Sequence, residues 1–388
     1  MDSSLVLLHL SLIKGIGPAI VQLLIENKQE SWQWQDLYHM LSSDIVEQCG
    51  LSVEKAILLA EGLRDRTLLD KECAELELNS IKWTTILSDL YPESLKHIHL
   101  PPIILYWQGE NPVSSANYMS VVGSRAMNRY GKMAIEQLVP PLVGAGWSIV
   151  SGGAIGVDSY AHLTTLKSNG TTLVVLGSGL LRPYPASNKK LFKAVVASGG
   201  TIISPFPVCM EAYPPNFPAR NRVISGLSRG CLVVQAAAKS GARITAQFAL
   251  EQGRDVFAVP GPIDDPLSSG CHALIKQGAK LVQSADDILE EYGQLADARY
   301  DQVKSSDSVE VSNLTIPGKT FTRSISSGAK ATIDDPITEQ IMSRCVRPIP
   351  FDELALLTGL ESSDLHEKLF ELQLQGLVCQ QIGLWCRC

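Results

Sequence analysis

SIVSGGAIGVDSYAHLTTLK, residues 148–167, decides the architecture. Its first three residues form a strand-length apolar run, a glycine-rich turn fills 151–156, and 158–167 has the length and patterning of an amphipathic helix. A strand that passes through small residues straight into a helix is the opening of a β-α-β unit. The same order recurs on both sides of it. Apolar runs at 119–122, 172–176, 201–203, 232–234, 256–259 and 280–282 alternate with amphipathic stretches at 130–143, 188–197 and 245–251. Strands that are apolar throughout are buried on both faces, which predicts a parallel sheet with helices above and below it. Right-handed crossovers then make an α/β fold, a Rossmann-like, doubly wound, mainly parallel sheet over 81–294.

The flanks have a different texture. Residues 1–80 read as a small α-helical domain. An apolar stretch at 5–12 and a helix at 19–25 flank Lys14-Gly15-Ile16-Gly17-Pro18, and a weaker copy around Gly50 precedes a helix at 53–63. This is the layout of a helix-hairpin-helix, SAM-like module, whose glycines let backbone N–H groups approach a phosphate. A plain tight turn fits equally, and the nearby Glu26, Glu30, Asp36, Asp44 and Glu47 favour it. The Ser-, Asp-, Thr- and Lys-rich stretch 295–336 is expected to be a flexible linker. Residues 337–388 read as three helices and a hairpin split by Gly383, a winged-helix-like domain. Its third helix carries Glu361, Asp364, Glu367 and Glu371 against Lys368, which fits protein docking or regulation better than base reading.

Of the 388 residues 45% are hydrophobic, enough for a large core, and no apolar run has membrane-span length. The N-terminus has an acidic start and a histidine in its apolar run, so no signal peptide is expected. Nine cysteines without a Cys-x-x-Cys pair suggest reduced thiols in a cytoplasm, with no zinc site; Cys386 and Cys388 are the only close pair. The formal charge of −7 hides a division, because residues 120–280 carry 16 Lys and Arg against 7 Asp and Glu. No acid occurs between 159 and 210.

In an open α/β sheet, ligands bind where strand C-termini meet helix N-termini. Five such corners carry glycines, small hydroxyls or bases, and no acid: Ser124-Arg125; the turn with Gly153; 177–190 with Asn188 and Lys189; the helix mouth NFPARNR with Phe217, Arg220, Asn221 and Arg222; and Lys239 with Thr245. Together they predict a rim for several phosphates. There is no Walker A sequence, no G-x-G-x-x-G and no acid closing the second strand, so no nucleotide cofactor is expected. The alternative is a nucleotide or sugar-phosphate hydrolase using Asp158 and His162, four apart on one helix face. Phe217 and Tyr184 either stack on bases or pack in the core.

VVGSR (121–125), SGGAIGVDSYAH (151–162), VLGSGLLRPYPASNKKL (175–191), NFPARNRVISGLS (216–228), SGARITAQFALEQGRDVFAVPG (240–261) and LIKQGA (274–279) resemble, in order, the DNA-processing protein DprA (Smf) family. The resemblance covers most of 80–290. It implies a non-enzymatic single-stranded DNA binder of natural transformation, which protects incoming strands and loads RecA onto them, displacing single-strand-binding protein. It further implies a homodimer through the Rossmann domain and a basic pocket lined by Ser124, Arg125, Gly153, Asn188, Lys189, Phe217, Arg220, Asn221, Arg222, Lys239 and Thr245. Two departures stand out: SGGAIGVD where SGLA-x-GID is commoner, and Gln235 where the family usually has Glu.

Overall fold

The structure, a computed structural model, describes residues 3–29, 31–112 and 117–296. Further on it describes the helical positions 338, 341, 343, 344, 354, 357, 358, 365, 368, 369 and 372, residue 360, and the strands named below. The chain divides into two compact units, Met1–Val309 and Glu310–Cys388.

The first unit opens with five helices, α1 (Ser3–Leu12), α2 (Pro18–Glu26), α3 (Ser42–Cys49), α4 (Val53–Arg64) and α5 (Thr67–Leu78). Next come β1 (Lys82–Thr85), α6 (Glu93–Lys96) and β2 (Ile104–Gly109). The alternating part follows: β3 (Tyr118–Val122), α7 (Arg129–Gly144), β4 (Ser148–Ser151), α8 (Val157–Lys167), β5 (Thr172–Val175), α9 (Lys189–Ala197) and β6 (Thr201–Ser204). It continues with α10 (Asn216–Leu227), β7 (Gly230–Val233), α11 (Gly241–Glu251), β8 (Asp255–Ala258), α12 (Ser269–Lys276), β9 (Lys280–Leu281) and α13 (Asp286–Leu289).

Nine strands form one sheet in the order β1-β2-β6-β5-β4-β3-β7-β8-β9. All pairs from β6 through to β9 are parallel, as expected, whereas β1 and β2 are an antiparallel extension on one edge. That extension was not foreseen. Its strands lie outside the strand–helix alternation, and β2 follows directly on Pro101-Pro102 and the short segment to 103.

Every residue of β3 is buried because its alternating side chains enter two different cores. Met119 and Val121 join Ile135 of α7 and Ala161 of α8; Tyr118 and Val122 join Ile224 of α10 and Ala246 of α11. The N-terminal helices are continuous with the sheet's core. Leu7, Leu59 and Leu69 share a cluster with Tyr106 of β2, Val174 of β5 and Phe192 of α9. A buried carboxylate adds to that junction, with Glu72 Oε1 accepting from the Val208 N–H at 2.8 Å. Burial pushes the Glu72 carboxyl above its ordinary range, and the Val208 hydrogen bond opposes the shift. Both glycine turns are present: Gly15 (φ +90°) separates α1 from α2, and Gly50 (φ +67°) caps α3 before α4.

The second unit holds β10 (Ile349–Pro350), β11 (Val378–Gln381) and β12 (Leu384–Arg387), antiparallel in the order β10-β12-β11. The expected hairpin is therefore there, with Cys379 opposite Cys386. Ile341, Leu354, Leu365, Leu369 and Val378 make its core. Described helical positions fall within each of the three expected helices, 337–345, 350–358 and 363–375, whereas the acidic residues of the third lie outside the described residues, as does the expected linker beyond residue 296.

Candidate nucleic-acid interface

Strands β3 to β6 step in one direction across the sheet, and β7 then returns to the other side of β3. The connections leaving β3 and β7 diverge there, and such a switch point leaves a crevice at the strand C-termini. A cleft of about 430 Å³ opens at that place. The turn after β3 contributes Ser124 and Arg125, the start of α10 contributes Phe217, Arg220 and Asn221, and the approach to α11 and its first turns contribute Lys239 and Thr245. Seven of the eleven residues expected at the site are thus brought together.

Arg125 is exposed, and its guanidinium lies 5.7 Å from the centre of the Phe217 ring. Tyr184 stands edge-on to Phe217 at 5.9 Å and is 47% exposed. Arg125, Ile155, Tyr184 and Phe217 also enclose a smaller depression of about 60 Å³. Lys239 lines the cleft and is exposed. Tyr184 is therefore on the surface, and Phe217 is half-buried beside it.

Arg220 behaves differently from the expectation of a phosphate-facing cation. It is 5% exposed and turned into the protein. Its Nη1 donates to the carbonyls of Gly152 and Val175 (2.7 Å to the latter), and its Nε donates to Asn221 Oδ1 at 3.1 Å. Residue 152 has to be glycine for this approach, since a Cβ there would sit 2.1 Å from Arg220 Nη1. Burial pulls the Arg220 pKa down to about 10, with Asp158 opposing, so it is charged at neutral pH. Asp158 Oδ2 accepts from the N–H groups of Gly152 (3.1 Å) and Ala154 (3.4 Å). Burial pushes its carboxyl up, while Arg220 and these N–H groups hold it down. The floor of the cleft thus carries a balanced pair of buried charges. The uncompensated positive charge belongs to Arg125 and Lys239.

Four expected residues lie outside the cleft. Asn188 Nδ2 donates to the Gly153 carbonyl at 2.9 Å and so shapes the turn rather than facing a ligand. Gly153 has φ +64°, and a Cβ there would lie 2.7 Å from the Phe192 ring and 2.8 Å from Val174. Lys189 lines a separate depression with Phe192 and Lys193. Arg222 follows Arg220 by two helical residues, about 200° around the axis, and its guanidinium lies 5.1 Å from the Phe248 ring.

Asp158 and His162 do not form the acid–base pair of the hydrolase alternative. His162 is fully buried, and its Nδ1 lies 2.7 Å from Thr172 Oγ1, whose own hydroxyl donates to the Ile149 carbonyl at 2.7 Å. The imidazole therefore donates through Nδ1–H and is neutral. Burial, reinforced by Arg220, lowers its pKa to about 3. Its Nε2 is buried without a hydrogen-bond partner.

The supporting role of two residues, Gln235 and Asn128, was not read from the sequence. Gln235 accepts from the Asn128 N–H at 3.2 Å, donates to Asn128 Oδ1 at 2.9 Å, and through its carbonyl accepts from the Ser124 N–H at 2.7 Å. It fastens the turn that carries Arg125 to the end of β7. The one available signal was the amide at 235 in place of a carboxylate, because only an amide both accepts and donates here. Among the described residues there is no cluster of potential metal ligands, and no helix is long and apolar enough to cross a membrane.

A family model described as DNA recombination-mediator protein A matches residues 82–293. Protein Smf of Escherichia coli is 37% identical over 304 residues, 77% of this chain and 75% of that protein. Protein Smf of a Synechocystis strain is 32% identical over 395 residues, 96% of each chain. The X-ray structure of DNA processing protein A (DprA) from Streptococcus pneumoniae superposes with a TM-score of 0.65 at 34% identity, covering 75% of this chain and 99% of that one.

Proposed function

This chain belongs to the DNA recombination-mediator protein A family, and on that premise we propose that its switch-point cleft binds single-stranded DNA, without catalysing a reaction, in the processing of DNA for homologous recombination. One observation carries the reading. Arg125 and Lys239 both line the cleft and are exposed, Arg125 against the Phe217 ring that pairs with Tyr184, while the one acid lining the cleft, Asp158, is buried and hydrogen-bonded to backbone N–H groups. Exposed cations bind phosphates, and exposed rings stack on bases of any sequence. A duplex keeps its bases stacked inside, so the ring pair favours a single strand. Loading of RecA, displacement of single-strand-binding protein, a homodimer, a role in natural transformation in the cytoplasm and a winged helix at the C-terminus complete the proposal. They rest on the family resemblance.

The test is fluorescence anisotropy of labelled oligo(dT) across a salt series. Arg125→Ala and Lys239→Ala should each weaken binding and flatten the log–log salt slope by about 0.7. Wild-type affinity and slope in both variants would remove the cleft from consideration.

A further inference from the structure

The first unit holds a second hollow apart from the cleft. A depression of about 760 Å³ lies between α9, the end of β2, and the starts of β6 and β1, and none of its lining residues belongs to the cleft. Its floor is aliphatic: Leu176, Leu180, Val196 and Ile202, with Phe192 buried at one side. Three lysines surround it. Lys189 and Lys193 stand one turn apart on α9, and Lys82 rises from β1, its Nζ donating to the Gly109 carbonyl at 3.3 Å. No acid lines it, and no ion pair among the described residues engages these lysines, in a chain whose formal charge is −7.

We propose that this depression is a docking site for an acidic peptide segment of a partner protein, with an aliphatic side chain seated on the floor and carboxylates on both sides meeting the lysines. The chemistry favours a peptide over a continuation of the DNA strand. A nucleobase needs an exposed ring to stack on, and the only ring here, Phe192, is 3% exposed and built into the core. An aliphatic hollow of this size instead suits an apolar anchor residue, the kind of group that dominates peptide affinity. Flexible ammonium groups on opposing walls match carboxylates spaced along an extended chain, without demanding the two-pronged geometry that arginine imposes. Lys189 is thereby reassigned from the strand to the peptide.

The probe is a fluorescein-labelled hexapeptide, Glu-Asp-Leu-Leu-Asp-Glu, titrated with the full chain and followed by anisotropy. Saturable binding is expected, weakened roughly tenfold or more when the two leucines become serines. A similar loss is expected for Lys193→Glu, which reverses one rim charge, and for Ala197→Trp, which fills the hollow from an exposed helix position. The leucine-to-serine comparison uses the unaltered protein, so it decides the matter even if a variant folds poorly. Equal affinity for the serine peptide, or no saturable binding, would overturn the proposal. So would oligo(dT) displacing the peptide while Lys193→Glu lowers oligo(dT) affinity by a comparable factor, because the hollow would then be part of the strand's path.

Discussion

Arg220→Ala separates architecture from ligand contact. In the folded protein this side chain donates to two buried carbonyls, those of Gly152 and Val175, and sets its charge against the buried Asp158. Each carbonyl that loses its donor costs about 1–3 kcal/mol. Leaving a buried charge without its partner costs about 3–5 kcal/mol. The contributions share atoms and do not add, so about 3–5 kcal/mol in total is the working figure. For a unit of this size that corresponds to a fall in Tm of roughly 10 °C. Arg125 is exposed, and Arg125→Ala should stay within about 0.5 kcal/mol of wild type while it weakens oligo(dT) binding. The measurement is a calorimetric or circular dichroism melt of the two variants side by side at neutral pH. An Arg220→Ala protein melting within about 2 °C of wild type would refute the reasoning. It would mean that Asp158 and the two carbonyls find other partners, and that Arg220 is free to serve the ligand after all.

The buried imidazole gives a pH signature. His162 titrates near 6.5 in the unfolded chain and near about 3 in the folded one. Its stabilising contribution is therefore full above pH 6.5 and is lost as the pH falls toward 3, on the order of 5 kcal/mol across that window. Asp158, raised above its ordinary value, acts in the opposite sense: its contribution falls as the pH rises from 3.8 toward its folded pKa. His162→Gln keeps a donor for Thr172 and does not titrate, so its urea midpoint should fall less steeply than that of wild type below pH 6; parallel curves would contradict a neutral buried histidine. Gly153→Ala should destabilise the protein by about 1–3 kcal/mol, because a side chain is strained at φ +64° and meets Phe192 and Val174. An unchanged melt would show that the turn relaxes freely.

The sheet was legible because burial on both faces leaves its mark as unbroken apolar runs, and the strand-to-helix turns were marked by glycine. Strand β1, KWTT, shows neither sign, since it is a short edge strand that pairs antiparallel outside the repeating unit. The gathering of the expected residues at one cleft was legible for a topological reason. Parallel strands send all their C-termini to one edge, so bases gathered at strand ends must share it. What each base does there was not legible. Arg220 and Arg222 look alike in NFPARNR, yet two helical residues place them on opposite sides, one under the cleft and one against Phe248. Asp158 and His162 have the spacing of a working pair, but each is buried and committed to a different partner. Charge counts cannot show that Arg220 is balanced by Asp158, because that pairing joins positions 62 residues apart.

Photocrosslinking tests the placement of the single strand most directly. A 5-bromodeoxyuridine-substituted oligo(dT) irradiated with the full chain and mapped by mass spectrometry should leave its adducts at Tyr184 or Phe217, competed away by unlabelled oligo(dT). Adducts confined to the N-terminal helices or to residues beyond 310, with none at that ring pair, would contradict it.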